Sequence, residues 1–338
     1  MKFLMFHVIK DEEDAVQRWS EQHNVEIGIS RDILSLRTID QVKGYDGICI
    51  QQIVPIESPD IYRKLKQYGI RQIATRSAGY DVIDLKEADR NGLIVTNVPA
   101  YSPYAVAELA VAQALNLVRH IPQFNERIAR HDFRWNGLIS REIRSMTIGI
   151  IGTGHIGAIA AQLFKGFGAR VIAFDQYPNE KLKNILDYRS SIEDVLREAD
   201  IVSLHTPLFD STAHMINRNT LKLMKNTSFL INMARGGLVN TGDLIQAIEN
   251  HEIAGAALDT FEDEGFINKD LSRETIGNPQ LLKLIESNQV ILTPHIGFYT
   301  TTAVQNMVEG GLNSVLEVLM TGTSKNQVPL PLKEKPIN

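Results

Sequence analysis

Residues 147–164 constrain this chain more than any other stretch. The apolar run Thr147-Ile148-Gly149-Ile150-Ile151 reads as a buried strand, Gly152-Thr153-Gly154-His155-Ile156-Gly157 as a tight turn, and residues 156–164 as the helix behind it. A lone GxGxxG can be no more than a turn. Between a strand and a helix its glycines have three separate tasks: the turn, a close backbone approach to a pyrophosphate, and tight packing of helix on strand. The helix start then presents free N–H groups and a partial positive charge to phosphate. Gly152, Gly154, His155, Ile156 and Gly157 are therefore candidate cofactor-binding residues, His155 through its backbone rather than its ring.

The next apolar run, residues 170–174, ends in Asp175, 18 residues after Gly157. A carboxylate there accepts hydrogen bonds from ribose hydroxyls and repels a 2′-phosphate. Gln176-Tyr177-Pro178 supplies no arginine to hold such a phosphate. The cofactor expected is NAD rather than NADP.

Around this unit, short apolar runs alternate with amphipathic stretches, the pattern of βαβ units and parallel sheets. Strands are expected at residues 2–7, 25–29, 47–50, 72–75 and 94–96, with helices at 14–23, 59–68 and 85–91 between them. Ser102-Pro103 then opens a helix that is apolar nearly all round from residue 105 to 117, which predicts burial between domains or subunits. Residues 119–134 mix arginines with Glu126 and Asp132 and read as solvated helix faces. Six strands come next, at 147–151, 170–174, 201–204, 229–232, 255–258 and 290–293, as a complete dinucleotide-binding fold requires. A last amphipathic helix covers about 301–320, and the tail 323–338 is expected to be mobile.

The fold class is α/β: two doubly wound parallel-sheet domains, as suits 338 residues. A formal charge of −5 argues against nucleic-acid or anionic-membrane partners. No run approaches the ~18 apolar residues of a membrane-spanning helix, and no signal peptide is legible at the N-terminus. The single cysteine, Cys49, lies in the apolar run Gly47-Ile48-Cys49-Ile50 and cannot form an intrachain disulfide. A buried, inert thiol and a cytoplasmic location are the expectation.

Ligands of open parallel sheets bind at the carboxyl ends of the strands. The polar residues at those ends are, in strand order, Asp175, then His205-Thr206-Pro207, then Met233-Ala234-Arg235, then Asp259 with Glu264 in its loop, then His295. An arginine, a carboxylate and a histidine together suit reduction of a 2-keto acid. A guanidinium grips a substrate carboxylate with two parallel hydrogen bonds, which assigns Arg235. The ketone oxygen needs a proton as hydride reaches carbon, and a histidine, here His295, is the side chain whose intrinsic range suits that task. Glu264 would favour the imidazolium and fix its ring. The remaining histidines, His214 among them, form no such constellation in the sequence. No HExxH or cysteine–histidine spacing suggests a metal.

With these residues in view, the chain resembles the D-isomer-specific 2-hydroxyacid dehydrogenases, nearest their bacterial lactate-forming branch. The resemblance covers nearly the whole chain. It rests on Asn97-Val98-Pro99-Ala100-Tyr101-Ser102-Pro103, Phe133-Arg134-Trp135, the 152–157 loop, Ala234-Arg235-Gly236-Gly237, Asp259-Thr260-Phe261-Glu262-Asp263-Glu264 and Thr293-Pro294-His295. It implies that Arg235, Glu264 and His295 are catalytic and that His205, Thr206, Pro207, Met233 and Ala234 border the cofactor. It also implies that Asp259 holds the nicotinamide carboxamide and Asp175 the adenine ribose. Ser77, Ala78 and Gly79 would take the substrate carboxylate through backbone N–H groups, and Tyr101 and Phe298 would line the substrate pocket.

The sequence departs from the usual pattern at Arg76-Ser77-Ala78-Gly79-Tyr80-Asp81, where the family reads Arg-Asn-Val-Gly-Val/Thr-Asp. Phe298 and Phe266-Ile267-Asn268-Lys269-Asp270 lean toward lactate. The resemblance further implies a flavodoxin-like substrate domain from 1–100 with 299–338, a Rossmann domain at 101–298, and a homodimer joined through the latter. The alternatives are a reductase of larger 2-keto acids of the 2-hydroxyisocaproate type, and an NAD-sensing, corepressor-like protein without turnover.

Overall fold

The structure, a computed structural model, describes residues 1–52, 54–267 and 269–329. The chain divides into two compact units, Met1–Ser102 with the chain from Tyr299 onward, and Pro103–Phe298. Among the described residues no helix is long and apolar enough to cross a membrane.

The first unit holds β1 (Lys2–Met5), α1 (Glu13–His23), β2 (Glu26–Ile29), β3 (Gly47–Ile50), α2 (Pro59–Gln67), β4 (Gln72–Thr75), α3 (Leu85–Arg90) and β5 (Ile94–Thr96). The strands pair in parallel in the order β2-β1-β3-β4-β5, the flavodoxin-like order. Alternate residues of β1 serve opposite faces: Phe3 and Met5 join Ala15 and Trp19 of α1, while Leu4 joins Ile61 and Leu65 of α2. β1 stops at Met5 rather than at residue 7 because His7 takes a left-handed backbone, φ +55°.

The second unit holds α4 (Pro103–Val118), α5 (Ile121–Ala129), β6 (Thr147–Ile151), α6 (His155–Gly166), β7 (Arg170–Phe174), β8 (Asp187–Tyr188), α7 (Ile192–Glu198), β9 (Ile201–Leu204), α8 (Arg218–Leu221), β10 (Phe229–Asn232), α9 (Thr241–Glu249), β11 (Gly255–Leu258), α10 (Pro279–Glu286) and β12 (Val290–Leu292). Its sheet is parallel, in the order β12-β11-β10-β9-β6-β7-β8. Among the described residues it thus has seven strands where the sequence suggested six. The extra one, β8, is a two-residue edge strand with no apolar run to announce it. The strand order reverses between β6 and β9, which opens a crevice at their carboxyl ends.

Burial of α4 has a local cause. Ala107, Ala110 and Ala114 are fully buried and pack in the same core as Ala160, Ala161 and Phe164 of α6 and Ile148 and Ile150 of β6. Small side chains let the two helices lie close, and each buried isoleucine contributes about 1.5–3 kcal/mol. α5 buries no residue within this chain.

The last helix, α11 (Thr301–Thr321), belongs to the first unit. Its Val308, Leu312 and Val315 enter the core of Phe3, Met5 and Cys49, and Trp19 Nε1 donates to Asn313 Oδ1 at 2.8 Å. A Cβ on Gly311 would lie 2.8 Å from Cys49 Sγ, so glycine sets how near α11 sits to the sheet. Cys49 is fully buried, and burial pushes its thiol up to about 11.

The tail departs from expectation as far as it is described. Asn97 N–H donates to the Asn326 carbonyl, Val328 N–H donates to the Val95 carbonyl, and Val328 is 2% exposed. Residues 323–329 are pinned along β5 because Val328 fills an apolar site and the strand edge offers backbone partners. The remainder of the tail, 330–338, lies outside the described residues, as does Asn268.

Candidate active site

Because the strands of the second unit are parallel, every loop singled out there leaves the same sheet edge. The phosphate loop follows β6, Asp175 follows β7, His205 follows β9, Arg235 follows β10, Asp259–Glu264 follow β11 and His295 follows β12.

Each glycine of the loop after β6 has its own steric reason. Gly152 has φ +90°, and a Cβ there would lie 2.7 Å from the His205 carbonyl oxygen. A Cβ on Gly157 would lie 1.9 Å from the Gly152 carbonyl oxygen. Gly154 instead faces open space, and as N-cap of α6 it offers no side chain to the first N–H groups. Donors aimed at an open, Cβ-free approach fit a pyrophosphate.

Asp175 is tied to this loop. One carboxylate oxygen accepts from Thr153 N–H at 2.6 Å and Thr153 Oγ1 at 3.0 Å, and the other from Tyr177 N–H at 2.8 Å. Thr153 Oγ1 also lies 2.9 Å from the hydroxyl of Tyr188 on β8. The short strand thus braces the turn. His205 N–H pairs with the Ile151 carbonyl and its Nε2 meets Ser203 Oγ at 2.9 Å; burial lowers its imidazole to about 4, so it is neutral at pH 7. Thr206 and Pro207 continue that loop, and the Thr206 nitrogen lies 3.0 Å from a Cβ built on Gly152.

At the other end of the edge, His295 Nδ1 lies 3.0 Å from Glu264 Oε2. Glu264 Oε1 accepts from Phe261 N–H at 3.0 Å, so the carboxylate is held from both sides. His295 has φ +56°, in the left-handed region that histidine enters more readily than most non-glycine residues. The turn is held by Asp259, which is 1% exposed. Its carbonyl accepts from His295 N–H at 2.9 Å, and its carboxylate accepts from Thr293 Oγ1 at 2.6 Å, Ile296 N–H at 2.9 Å and Gly297 N–H at 2.8 Å. The Phe298 ring meets the His295 ring edge-on, centroids 6.4 Å apart.

Arg235 stands at the end of β10, next to β11, and its Nη1 donates to the Ala234 carbonyl at 2.8 Å. The Arg235 loop touches the Glu264 loop directly, since a Cβ on Gly236 would lie 2.2 Å from the Phe261 carbonyl carbon. Asn232, fully buried, binds the two together: its Nδ2 donates to the carbonyls of Arg235 and Thr260, and its Oδ1 accepts from Ala234 N–H. Met233 beside it is 5% exposed. The sequence reading missed Asn232, although its place at the last position of a strand that feeds the site was a signal. It also missed His214, whose Nε2 lies 2.7 Å from Glu262 Oε1; 48 residues of chain separate the two, and no spacing rule connects them.

In the first unit the loop after β4 is built around its carbonyls. Val98 N–H donates to Ser77, Asn97 Nδ2 to Ala78 and Ser77 Oγ to Gly79. Among the described residues nothing accepts from the Ala78 or Gly79 N–H. Arg76, just before the loop, is fully buried and ion-paired to Glu12 at 2.6 Å. The Tyr101 carbonyl accepts from Asn306 Nδ2 of α11.

Residues 111–297 match the family model described as "D-isomer specific 2-hydroxyacid dehydrogenase, NAD binding domain". The chain is 50% identical over 331 residues to a D-2-hydroxyacid dehydrogenase (NAD(+)) of Clostridioides difficile, covering 97% of this chain and 100% of the relative. It is 44% identical to a D-lactate dehydrogenase of Staphylococcus epidermidis, covering 95% and 98% of the two chains. Among solved structures, a D-lactate dehydrogenase from Sporolactobacillus sp. superposes with a TM-score of 0.85 at 51% identity, over 97% of this chain and 99% of that one. The chain belongs to the D-isomer-specific 2-hydroxyacid dehydrogenases, and it is an NAD-dependent oxidoreductase of that family.

Proposed function

We propose that this enzyme reduces pyruvate to D-lactate with NADH, reversibly, and that Arg235, Glu264 and His295 carry the reaction. The observation that carries the reading is the 3.0 Å contact of His295 with Glu264 on the strand edge that also bears the glycine loop and Arg235. The names of relatives 44% and 51% identical over nearly the full chain support lactate as the product.

Bound NADH supplies the hydride that adds to the substrate's C2 carbon. His295 gives the proton from Nε2 to the ketone oxygen, and in the oxidative direction takes it back. Glu264, on Nδ1, favours the charged ring and fixes its orientation. Arg235 is assigned to the substrate carboxylate, and in the first unit Ser77, Ala78 and Gly79 are assigned to substrate binding through their backbone N–H groups. Phe298, edge-on to the imidazole, and Tyr101 are assigned to the walls around the substrate's side chain. Asp259 spends three acceptor positions on the His295 turn, which leaves one of the roughly four a carboxylate offers for the nicotinamide carboxamide. Asp175 is assigned to the adenosine ribose. His205, Thr206, Pro207, Met233 and Ala234 are assigned to the cofactor's borders.

We assign residues 1–100 and 299–338 to the substrate domain, residues 101–298 to the cofactor domain, and a homodimer joined through the latter. Phe133, Trp135 and Ile139, 75%, 77% and 93% exposed in the second unit, support a covered face there. The buried thiol of Cys49 supports a reducing, cytoplasmic setting.

The test is turnover of NADH with pyruvate, 2-ketoisocaproate and phenylpyruvate, followed by chiral analysis of the pyruvate product. D-lactate with pyruvate preferred is the expected result. Pyruvate ranking far below the others would move the enzyme to the larger 2-keto acids, a reading that the broader name of the Clostridioides difficile relative favours. No NADH oxidation across the panel would favour an NAD-sensing protein.

A further inference from the structure

The His214–Glu262 contact stands beside the His295–Glu264 pair without taking part in the chemistry assigned above. Glu262 joins three segments. Its Oε1 lies 2.7 Å from His214 Nε2, its Oε2 accepts from the N–H of Thr241 at the start of α9 at 2.9 Å, and its backbone sits two residues before Glu264. Between them Asp263 takes φ +62°, a left-handed turn that aspartate tolerates better than most residues.

The segment carrying His214 is fastened in turn to the Arg235 loop. His214 N–H donates to the Gly237 carbonyl at 2.8 Å, and Ile216 N–H to the Leu238 carbonyl at 3.0 Å. On the other side, the Phe261–Glu262 backbone rests on Gly236, where a Cβ would lie 2.2 Å from the Phe261 carbonyl carbon and 2.7 Å from the Glu262 nitrogen. The Phe261 N–H is the same group that holds Glu264 Oε1. A closed ring of contacts therefore runs from Arg235 through Gly237, His214 and Glu262 to Phe261 and Glu264.

We infer that His214 and Glu262 are positioning residues: their contact locks the loop of Glu264, the carboxylate behind the proposed proton donor, to the loop of the proposed substrate-binding arginine. Burial pushes the Glu262 carboxyl up, but hydrogen bonds from Thr241 and His214 outweigh it and hold the group below the usual carboxylate range. It is therefore an anion throughout the working pH range and a strong acceptor for the imidazole. The inference rests on the reading of Glu264 and His295 given above.

The test compares full-length His214→Ala, Glu262→Ala, the double variant and His214→Gln, whose amide can still donate to Glu262. The readouts are NADH binding by fluorescence and the pH profile of kcat and kcat/KM for pyruvate reduction. Expected are unchanged NADH binding, a fall of about tenfold in kcat for either alanine variant, and a shift of the alkaline midpoint to lower pH as Glu264 loosens. The double variant should lose no more than either single one, and His214→Gln should recover most of the loss. Wild-type kcat and midpoint in both alanine variants would overturn the inference. So would additive losses, or losses that merely track NADH binding. If either alanine variant does not fold, His214→Leu and Glu262→Leu, which fill the space but cannot make the contact, replace them, and a wild-type profile in both likewise overturns it. If His295→Ala itself keeps turnover, the reading beneath fails; if that variant is dead while the His214 and Glu262 variants are normal, only the present inference fails.

Discussion

The carboxylate of Glu264 is held on both oxygens, by Phe261 N–H at 3.0 Å and by the Nδ1 side of His295 at 3.0 Å. On the proposed mechanism, a carboxylate fixed from its own loop would keep the ring in one orientation when the imidazole gives up its proton. His295→Ala should therefore lower kcat for pyruvate reduction by about 10²–10⁴-fold, the usual worth of positioned acid catalysis. Single-turnover kinetics with NADH would show it, and near-normal turnover would remove His295 from the mechanism.

Glu264→Gln keeps the shape and removes the charge. The imidazolium would then lose its ionic partner, which disfavours the protonated ring. Reduction, which needs the protonated ring, should lose activity from a lower pH upward, while oxidation of D-lactate should extend to lower pH. Paired pH profiles in the two directions check the sign, and profiles superposable on the wild type would contradict it.

Asp175 has both of its oxygens engaged by the glycine loop and its neighbour, and on the proposed reading its carboxylate would repel a 2′-phosphate. Asp175→Ala should weaken preference for NADH over NADPH by about 10–100-fold, the equivalent of losing charge-assisted hydrogen bonds worth about 1.5–3 kcal/mol. The ratio of kcat/KM with the two cofactors is the measurement. An unchanged ratio would count against the ribose assignment.

Arg76 and Glu12 form an ion pair in the first unit with both side chains out of water, 0% and 3% exposed. The guanidinium also donates to the carbonyls of Phe6 and His7 at 2.9 Å. Glu12→Ala leaves that cation unpaired, which should cost about 3–5 kcal/mol. Urea unfolding followed by tryptophan fluorescence suits the test, because Trp19 is buried in the same unit while Trp135 is 77% exposed. A loss below about 1 kcal/mol would show that water reaches the site.

Asp200 accepts from Thr147 N–H at 2.8 Å, Lys225 Nζ at 3.1 Å and Arg141 Nη1 at 3.2 Å. Burial raises its carboxyl, but these three donors together hold it below the ordinary range. A folded-state pKa below the unfolded one contributes stability above about pH 4 and loses it as pH falls through the folded value. Asp200→Asn should therefore be less stable than the wild type by about 1–3 kcal/mol at pH 7, with the gap closing below about pH 4. Denaturation midpoints across that range would reveal a gap that stays constant, if the assignment is wrong.

Much of this protein could be read from local sequence. The strand–glycine–helix pattern at 147–164, the acid at 175 and the apolar runs fix their elements because backbone sterics and side-chain periodicity act over a few residues. The strand ends at Asp175, Arg235, Asp259 and His295 emerged from the same periodicity, since a parallel sheet puts all its carboxyl ends on one edge. Features that depend on distant parts of the chain were not legible. β8 exists only because β7 offers an edge to a two-residue segment, and the tail near Val328 is ordered only because β5 has backbone groups to satisfy. The turn at His295 is held by Asp259 from 36 residues away, and the contact of His214 with Glu262 joins segments 48 residues apart. Sequence determined which groups the site contains; tertiary structure decided how firmly each is held, because hydrogen bonds and close packing act across space with no regard to separation along the chain.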